Sequence, residues 1–308
     1  MSGPLVVVGD ALLDIDVEGT AERLCPEAPV PVVDVGAEWR RPGGAGLAAL
    51  LAARSAAEVV LVTAVGEDES GARLLDLLAG EVEVRALPLD GETPRKTRVR
   101  AAGQPIVRID HGNGIASHES LDRSVISVLR KASAILVADY GRGVAAHPRI
   151  RELVGAAEAP VVWDPHPRGA SPVPGAVLVT PNEAEAVKFA GEHGTPAKVA
   201  AALCREFGAA VAVTLGSRGA VLASGTGIST IPVPHGARVP TSVRPDTCGA
   251  GDRFASAATA ALLDGAALPD AVRAAVESAA RFVTAGAATT VSEPVGGARV
   301  PSFQGGVG

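Results

Sequence analysis

Short apolar runs rich in valine alternate along the chain with Ala/Leu-rich stretches of helical length. LVVVGD (5–10), VVLVTAV (59–65), AILVAD (134–139), APVVWD (159–164), AVLVT (176–180) and AAVAVTL (209–215) read as strands. Between them the pattern predicts helices over 45–57, 69–79, 119–131, 147–157, near 182–190 and over 196–207. Two long Ala-rich helices at 249–264 and 268–285 follow. Strands that are apolar throughout, separated by helices, imply a parallel sheet covered on both faces. The fold class is therefore α/β.

Two segments break the rhythm. Residues 12–36 carry Pro26, Pro29 and Pro31 and read as extended pieces. Residues 93–111 alternate around a central AAGQ, which predicts a hairpin. Neither fits a βα unit, so a small β lid standing off one α/β domain spanning 1–308 is the simplest account. No internal repeat or linker calls for a second independent domain, and the GGARVPSFQGGVG tail is expected to be loosely held.

Composition narrows the classes. A formal net charge of −6 argues against a general nucleic-acid binder, and 3% aromatic residues argue against stacking platforms for single strands. No apolar run approaches the roughly 20 residues of a membrane span, and MSGPLVVVGD lacks the basic flank of a secretory signal. Cys25, Cys204 and Cys248 form no CxxC pair, which removes disulfide frameworks and zinc signatures and makes a reducing cytoplasm the expected compartment.

The strongest chemical feature is PDTCGAGDRFASAATAALLDG at 245–265. Gly249, Ala250 and Gly251 open a helix where an anion can approach free N–H groups, and Asp252 sits in its first turn beside that anion. The plain alternative is an acidic residue at a helix start, favourable without any chemistry. Gly43 and Gly44 precede another helix and offer a second place for backbone to close on a ligand. The P-loop pattern, HExxH and the dinucleotide GxGxxG after the first strand are all missing, and the six histidines show no ligand spacing.

Taken in order, GD (9–10), PGG (42–44), VGEDESG (65–71), TPNEAE (180–185), VTLGSRGAVL (213–222) and DTCGAGD (246–252) resemble the ribokinase-like (phosphofructokinase B) carbohydrate kinases over nearly the whole chain. Within that family the sequence looks most like the heptose 7-phosphate kinases, through CPEAPVPVVDV (25–35), GDALLDID (9–16), KTRVRAAGQPIVRID (96–110), ADYGRG (138–143) and WDPHPRG (163–169). The resemblance implies a three-layer αβα sandwich with a β-sheet lid. It also implies ATP-dependent phosphorylation of a sugar or sugar-phosphate hydroxyl, with heptose 7-phosphate as acceptor, and ATP, Mg2+ and K+ as cofactors.

By position, Asp252 matches the family's catalytic base, and Gly249, Ala250 and Gly251 its anion hole. Asn182 and Glu185 match the NxxE pair that organises Mg2+ and its waters, and Thr214, Gly216 and Gly219 the nucleotide-site turn. Asp14, Gly43 and Gly44 match sugar-hydroxyl contacts, and Lys96, Arg108 and Arg142 fall where a distal sugar phosphate could be held. Asp246 matches the monovalent-cation loop. The partners implied are a small sugar or sugar phosphate, with no nucleic acid and no membrane, and a homodimer formed through the lid. The bifunctional heptose enzymes carry a further nucleotidyltransferase domain, so in 308 residues the kinase function alone is expected.

Plainer readings stand beside these. Asn182 and Glu185 spell a capping box, the basic hairpin residues suit a solvated strand face, and Asp14 could face water. Cys248 has no histidine near it in sequence and is not expected to be a nucleophile; His147 and His166 read as surface or loop residues. The chain also departs from the family's pattern. Leu47 stands where an asparagine usually binds sugar hydroxyls, Arg142 replaces a lysine, and Glu277 or Ser278 falls where an asparagine lies beside adenine. These departures keep two rivals open: a kinase of the same family acting on ribose, fructose phosphate or a nucleoside, and a non-catalytic sugar- or nucleotide-sensing protein on a kinase scaffold.

Overall fold

The computed structural model describes residues 3–191, 193–237 and 246–295. β1 (Leu5–Gly9) runs into two long strands, β2 (Ala11–Leu24) and β3 (Pro31–Gly44), before α1 (Ala45–Ala53). Then come β4 (Val59–Ala64), α2 (Glu69–Leu78), β5 (Glu83–Leu87), β6 (Leu89–Asp90), β7 (Arg95–Ala101), β8 (Gln104–His111) and β9 (Ile115–Ala116). The middle of the chain supplies α3 (Arg123–Lys131), β10 (Ala134–Ala138), α4 (Pro148–Gly155), β11 (Val161–Asp164), β12 (Leu178–Val179), α5 (Glu183–Ala190) and α6 (Pro196–Phe207). The last elements are β13 (Ala210–Thr214), β14 (Ala220–Ser224), β15 (Gly227–Ile231), α7 (Ala250–Leu263), α8 (Leu268–Thr284) and β16 (Glu293–Pro294).

The main sheet has nine strands in the order β15-β14-β13-β12-β11-β10-β1-β4-β5. It is parallel from β5 to β13, and β14 and β15 add an antiparallel edge. Alternation along β1 sends Leu5 and Val7 to a core shared with α1, α7 and α8, and Val6 and Val8 to a core shared with α3, α4 and α6. Both faces being covered, the strands carry apolar residues at successive positions, and the αβα layering expected from the pattern is what forms.

Five strands in the order β16-β3-β2-β7-β8 build a second sheet. Its long members extend the expected 12–36 segment to Gly44, because only Asp10 separates β1 from β2 and the three prolines fall at or near the turn. β7 and β8 form the expected hairpin, with Ala102 and Gly103 at positive φ in its turn. Register gives this sheet two unlike faces. Asp14, Lys96 and Asp110 stand in one row and Asp16, Arg98 and Arg108 in the next, all on one face. Ile15, Thr97 and Ile109, then Val17, Val99 and Val107, occupy the other. Leu13 and Ile15 on that apolar side pack against Leu77 of α2.

Some expectations need correction. The helix expected from 119 starts at Arg123, because the Asp122 side chain accepts from Ser124 N and caps it. The strand expected over 176–180 is only two residues long. β5, β14 and β15, which mix small, polar and apolar residues, were not anticipated. His147 is buried: Nδ1 accepts from Arg149 N at the start of α4 and Nε2 lies 2.9 Å from the Glu119 carbonyl oxygen. The expectation for the C-terminal tail falls outside the described residues. Among the described residues no helix is long and apolar enough to cross a membrane.

Candidate active site

At the C-terminal edge of the parallel strands, where ligands bind in open α/β sheets, α7 begins. Its N-cap, Gly249, has φ +81°, and a Cβ there would lie 2.7 Å from Leu47 Cδ2 and 3.3 Å from the Phe282 ring. Glycine is thus required twice over, by backbone conformation and by space. No side chain caps this helix, Ala250 is half-buried, and Gly251 is exposed with open space where a Cβ would stand. The helix start is open to a ligand.

Asp252 turns inward from the first turn and is buried. Its Oδ1 accepts a hydrogen bond of 2.6 Å from the Tyr140 hydroxyl. Burial pushes the Asp252 carboxyl up to about 6; the Tyr140 bond pulls it down, the Asp14 charge raises it and Lys96 lowers it. Asp164, at the end of β11, accepts from Thr180 Oγ1 at 2.8 Å. Burial, reinforced by the charges of Asp252 and Glu185, pushes its carboxyl well above the ordinary range. A carboxylate with its affinity for protons raised toward neutrality, next to an open helix start, can take a proton from a hydroxyl held beside an anion.

The charged face of the second sheet meets this point. Asp14 is buried, 3.3 Å from Arg98 and 3.7 Å from Arg41, and a Cβ on Gly43 would press within 2.8 Å of its Oδ2. The water-facing alternative for Asp14 is thereby overturned. Arg41, 1% exposed, also pairs with Asp16 and reaches Cys248 Sγ at 3.6 Å. Asp14 Oδ1 and Arg98 Nη1 are enclosed and face each other across their 3.3 Å ion pair without hydrogen-bond geometry. Lys96 Nζ sits 5.7 Å from the centroid of the Tyr140 ring, and burial lowers its pKa despite Asp14. Arg108 stays outside this group, exposed and bonded to Asp110 at 2.8 Å. Arg142 donates its backbone N–H to Asp10, and its Nη1 reaches the Gly114 carbonyl at 3.5 Å.

On the other side, Asn182 and Glu185 complete the capping box with reciprocal bonds of 3.0 and 2.9 Å. Burial raises the Glu185 carboxyl. An isolated parallel bridge sets Thr214 against Asn182. Gly219 has φ +95°, and a Cβ there would meet the Ile231 carbonyl oxygen at 2.0 Å, whereas Gly216, φ +58°, has open space. Asp246 accepts from Cys248 N at 2.9 Å and lies 3.8 Å from Arg100. Among the described residues no three His, Cys, Asp or Glu side chains gather into a metal cage. The carboxylates of Asp164 and of Glu185, whose charge is felt at Asp164, suit by their oxygen chemistry a cation of the Mg2+ type, which keeps its waters and takes few protein ligands.

Two departures acquire a physical account. Leu47 is buried with Leu51, Phe282 and Cys248 beneath Gly249, where an apolar side chain supports the helix start. Glu277 is tied to Arg281 and, with Ser278, lines an outer groove shared with Arg54 and Arg253. Tyr140, Asp164, Arg41 and Arg98 are the residues that sequence reasoning did not select. ADYGRG and WDPHPRG were visible as motifs, but only the fold shows which of their side chains point at Asp252.

The sequence pattern that defines the pfkB family of carbohydrate kinases matches residues 4–295. The chain belongs to that family. Among its relatives, the bifunctional protein HldE of Streptomyces coelicolor is 51% identical over 96% of this chain and 63% of its own length. The HldE of Azorhizobium caulinodans is 36% identical over 91% and 60%. The chain thus spans less than two thirds of the length of these curated relatives. Among solved structures, Arabidopsis thaliana ribokinase complexed with ribose and ATP superposes with a TM-score of 0.69 at 22% identity, covering 92% of this chain and 93% of its own. The tetrameric inhibited form of Escherichia coli phosphofructokinase-2 gives 0.72 at 20%, covering 94% and 97%. At such identities these pfkB-family structures establish the fold alone.

Proposed function

We propose that this chain transfers the γ-phosphoryl group of ATP to a sugar-phosphate hydroxyl, with heptose 7-phosphate as acceptor and the 1,7-bisphosphate as product. The observation that carries the reading is the buried Asp252 carboxylate at an open helix start, faced by Asp14, Lys96 and Arg98 of the second sheet.

In this reading Asp252, ionised above about pH 6, takes the hydroxyl proton as that oxygen attacks phosphorus. The N–H groups of Gly249 and Gly251 and the α7 dipole stabilise the charge on the group in transfer, the Ala250 N–H being bonded to the Thr247 carbonyl at 3.1 Å. Asp14, Gly43 and Gly44 hold sugar hydroxyls, and Lys96 and Arg142 the distal phosphate, with Arg108, exposed and bonded to Asp110, outside that group. Arg98, unselected by sequence, pairs with Asp14 at 3.3 Å and fixes that carboxylate. Thr214, Gly216 and Gly219 border the nucleotide. Asn182 and Glu185, with Asp164, would hold Mg2+ through water, and the ion would neutralise phosphate charge; Asp246 would help hold a monovalent cation such as K+. Ribokinase of A. thaliana, solved with ribose and ATP, supports nucleotide and sugar binding in this fold. One domain over 1–308, with segments 12–36 and 93–111 as a lid that excludes water, completes the reading.

A substrate panel with ADP release as readout tests it. Heptose 7-phosphate should give the highest kcat/KM, well above unphosphorylated heptose, ribose, fructose phosphate and a nucleoside. Equal efficiency on free and phosphorylated sugars removes the distal phosphate site, and ligand-induced thermal shifts without ADP on any sugar favour the sensing protein.

A further inference from the structure

One contact of Asp252 takes no part in the proton transfer itself. Tyr140, two residues past β10, donates its hydroxyl to Asp252 Oδ1 at 2.6 Å. The segment that carries Tyr140 is unusually fixed. The Asp10 carboxylate accepts the backbone N–H of Tyr140, Arg142 and Val144 at 3.0, 2.9 and 3.0 Å. Asp139 accepts those of Gly141 and Ala170, both at 2.7 Å. The ring lies between Lys96 Nζ, 5.7 Å from its centroid, and the stacked His166 ring at 6.4 Å. Backbone and ring are both constrained, so the hydroxyl is aimed.

We infer that Tyr140 is a positioning residue for Asp252: it anchors Oδ1 so that the other carboxylate oxygen is presented to the incoming alcohol. The inference rests on the reading of Asp252 as the base. A carboxylate on a two-torsion side chain rotates freely unless one oxygen is held, and rate depends steeply on the alignment of proton donor and acceptor. The bond also opposes the effect of burial on Asp252, whose other charged neighbours are Asp14 on β2 and Lys96 on β7, with Asp164 of β11 nearby.

The chain contains one tyrosine, so feeding fluorotyrosine labels this position alone. Tyr140→Phe should lower kcat about 10–100-fold while KM for ATP and for the sugar phosphate stays within about threefold. Its acid limb of kcat should move to higher pH, since the carboxylate loses a donor that favours its ionised form. Difluorotyrosine, a stronger donor of nearly the same shape, should retain kcat and move that limb to lower pH. A role confined to packing would lower the melting temperature and leave the limb in place. An unshifted limb in the fluorotyrosine protein overturns the inference, even if the Phe variant fails to fold. So does a Phe variant with unchanged kcat, provided Asp252→Asn is inactive; an active Asp252→Asn instead removes the base reading itself.

Discussion

An aspartate in the first turn of a helix normally ionises near 4 and does no more than complement the dipole. Asp252 differs because burial raises its pKa to about 6, with Tyr140 and Lys96 holding it from going higher. The sign follows directly: a base must be unprotonated, so kcat should fall as pH drops through about 6 and level off above it. A pH–rate profile checks this, and a profile flat from pH 5 to 8 would contradict it. Asp252→Asn keeps the shape but cannot accept a proton, and should lower kcat roughly 10²–10⁴-fold with little change in melting temperature. The identity of Asp252 was legible from DTCGAGD. Its environment was not, since Tyr140 and Asp164 lie 112 and 88 positions away in sequence and reach it only through the strand order.

The start of α7 shows why three adjacent small residues are not equivalent. Gly249 needs a positive φ and abuts Leu47, whereas a Cβ on Gly251 would project into open space. Gly249→Ala should therefore lower the melting temperature, combining a left-handed conformation, about 1–2 kcal/mol for a residue with a Cβ, with a clash. Gly251→Ala should leave the melting temperature unchanged and raise KM for ATP, because its methyl group occupies the space offered to the phosphates. Thermal melts paired with kinetics on the two variants distinguish these outcomes, and identical behaviour would refute the assignment of roles. Most elements were legible from periodicity, because strands covered on both faces are apolar throughout. β5 and β15 escaped because strands at a sheet edge mix exposed and buried positions, and β14, though mostly buried, is a five-residue run of small and apolar residues bounded by glycines.

The second sheet has two unlike faces. Its charged face looks onto Asp252, while Val107 and Ile109 on the opposite face are 50% and 53% exposed. An apolar face of this kind suits pairing of two copies through the lid. Val107→Lys with Ile109→Lys should convert a dimer to a monomer by light scattering without unfolding it; an unchanged mass would rule out this face. By itself the sequence determined the layered α/β architecture, the helix start that can receive an anion and the acidic residue on it, because periodicity and local glycine chemistry are written in consecutive positions. Only the tertiary structure decided that Tyr140 holds Asp252, that Leu47 supports Gly249 from below, and that a buried Asp14 pairs with a partly buried Arg98. Those facts depend on register between distant strands and on burial, which no local pattern encodes.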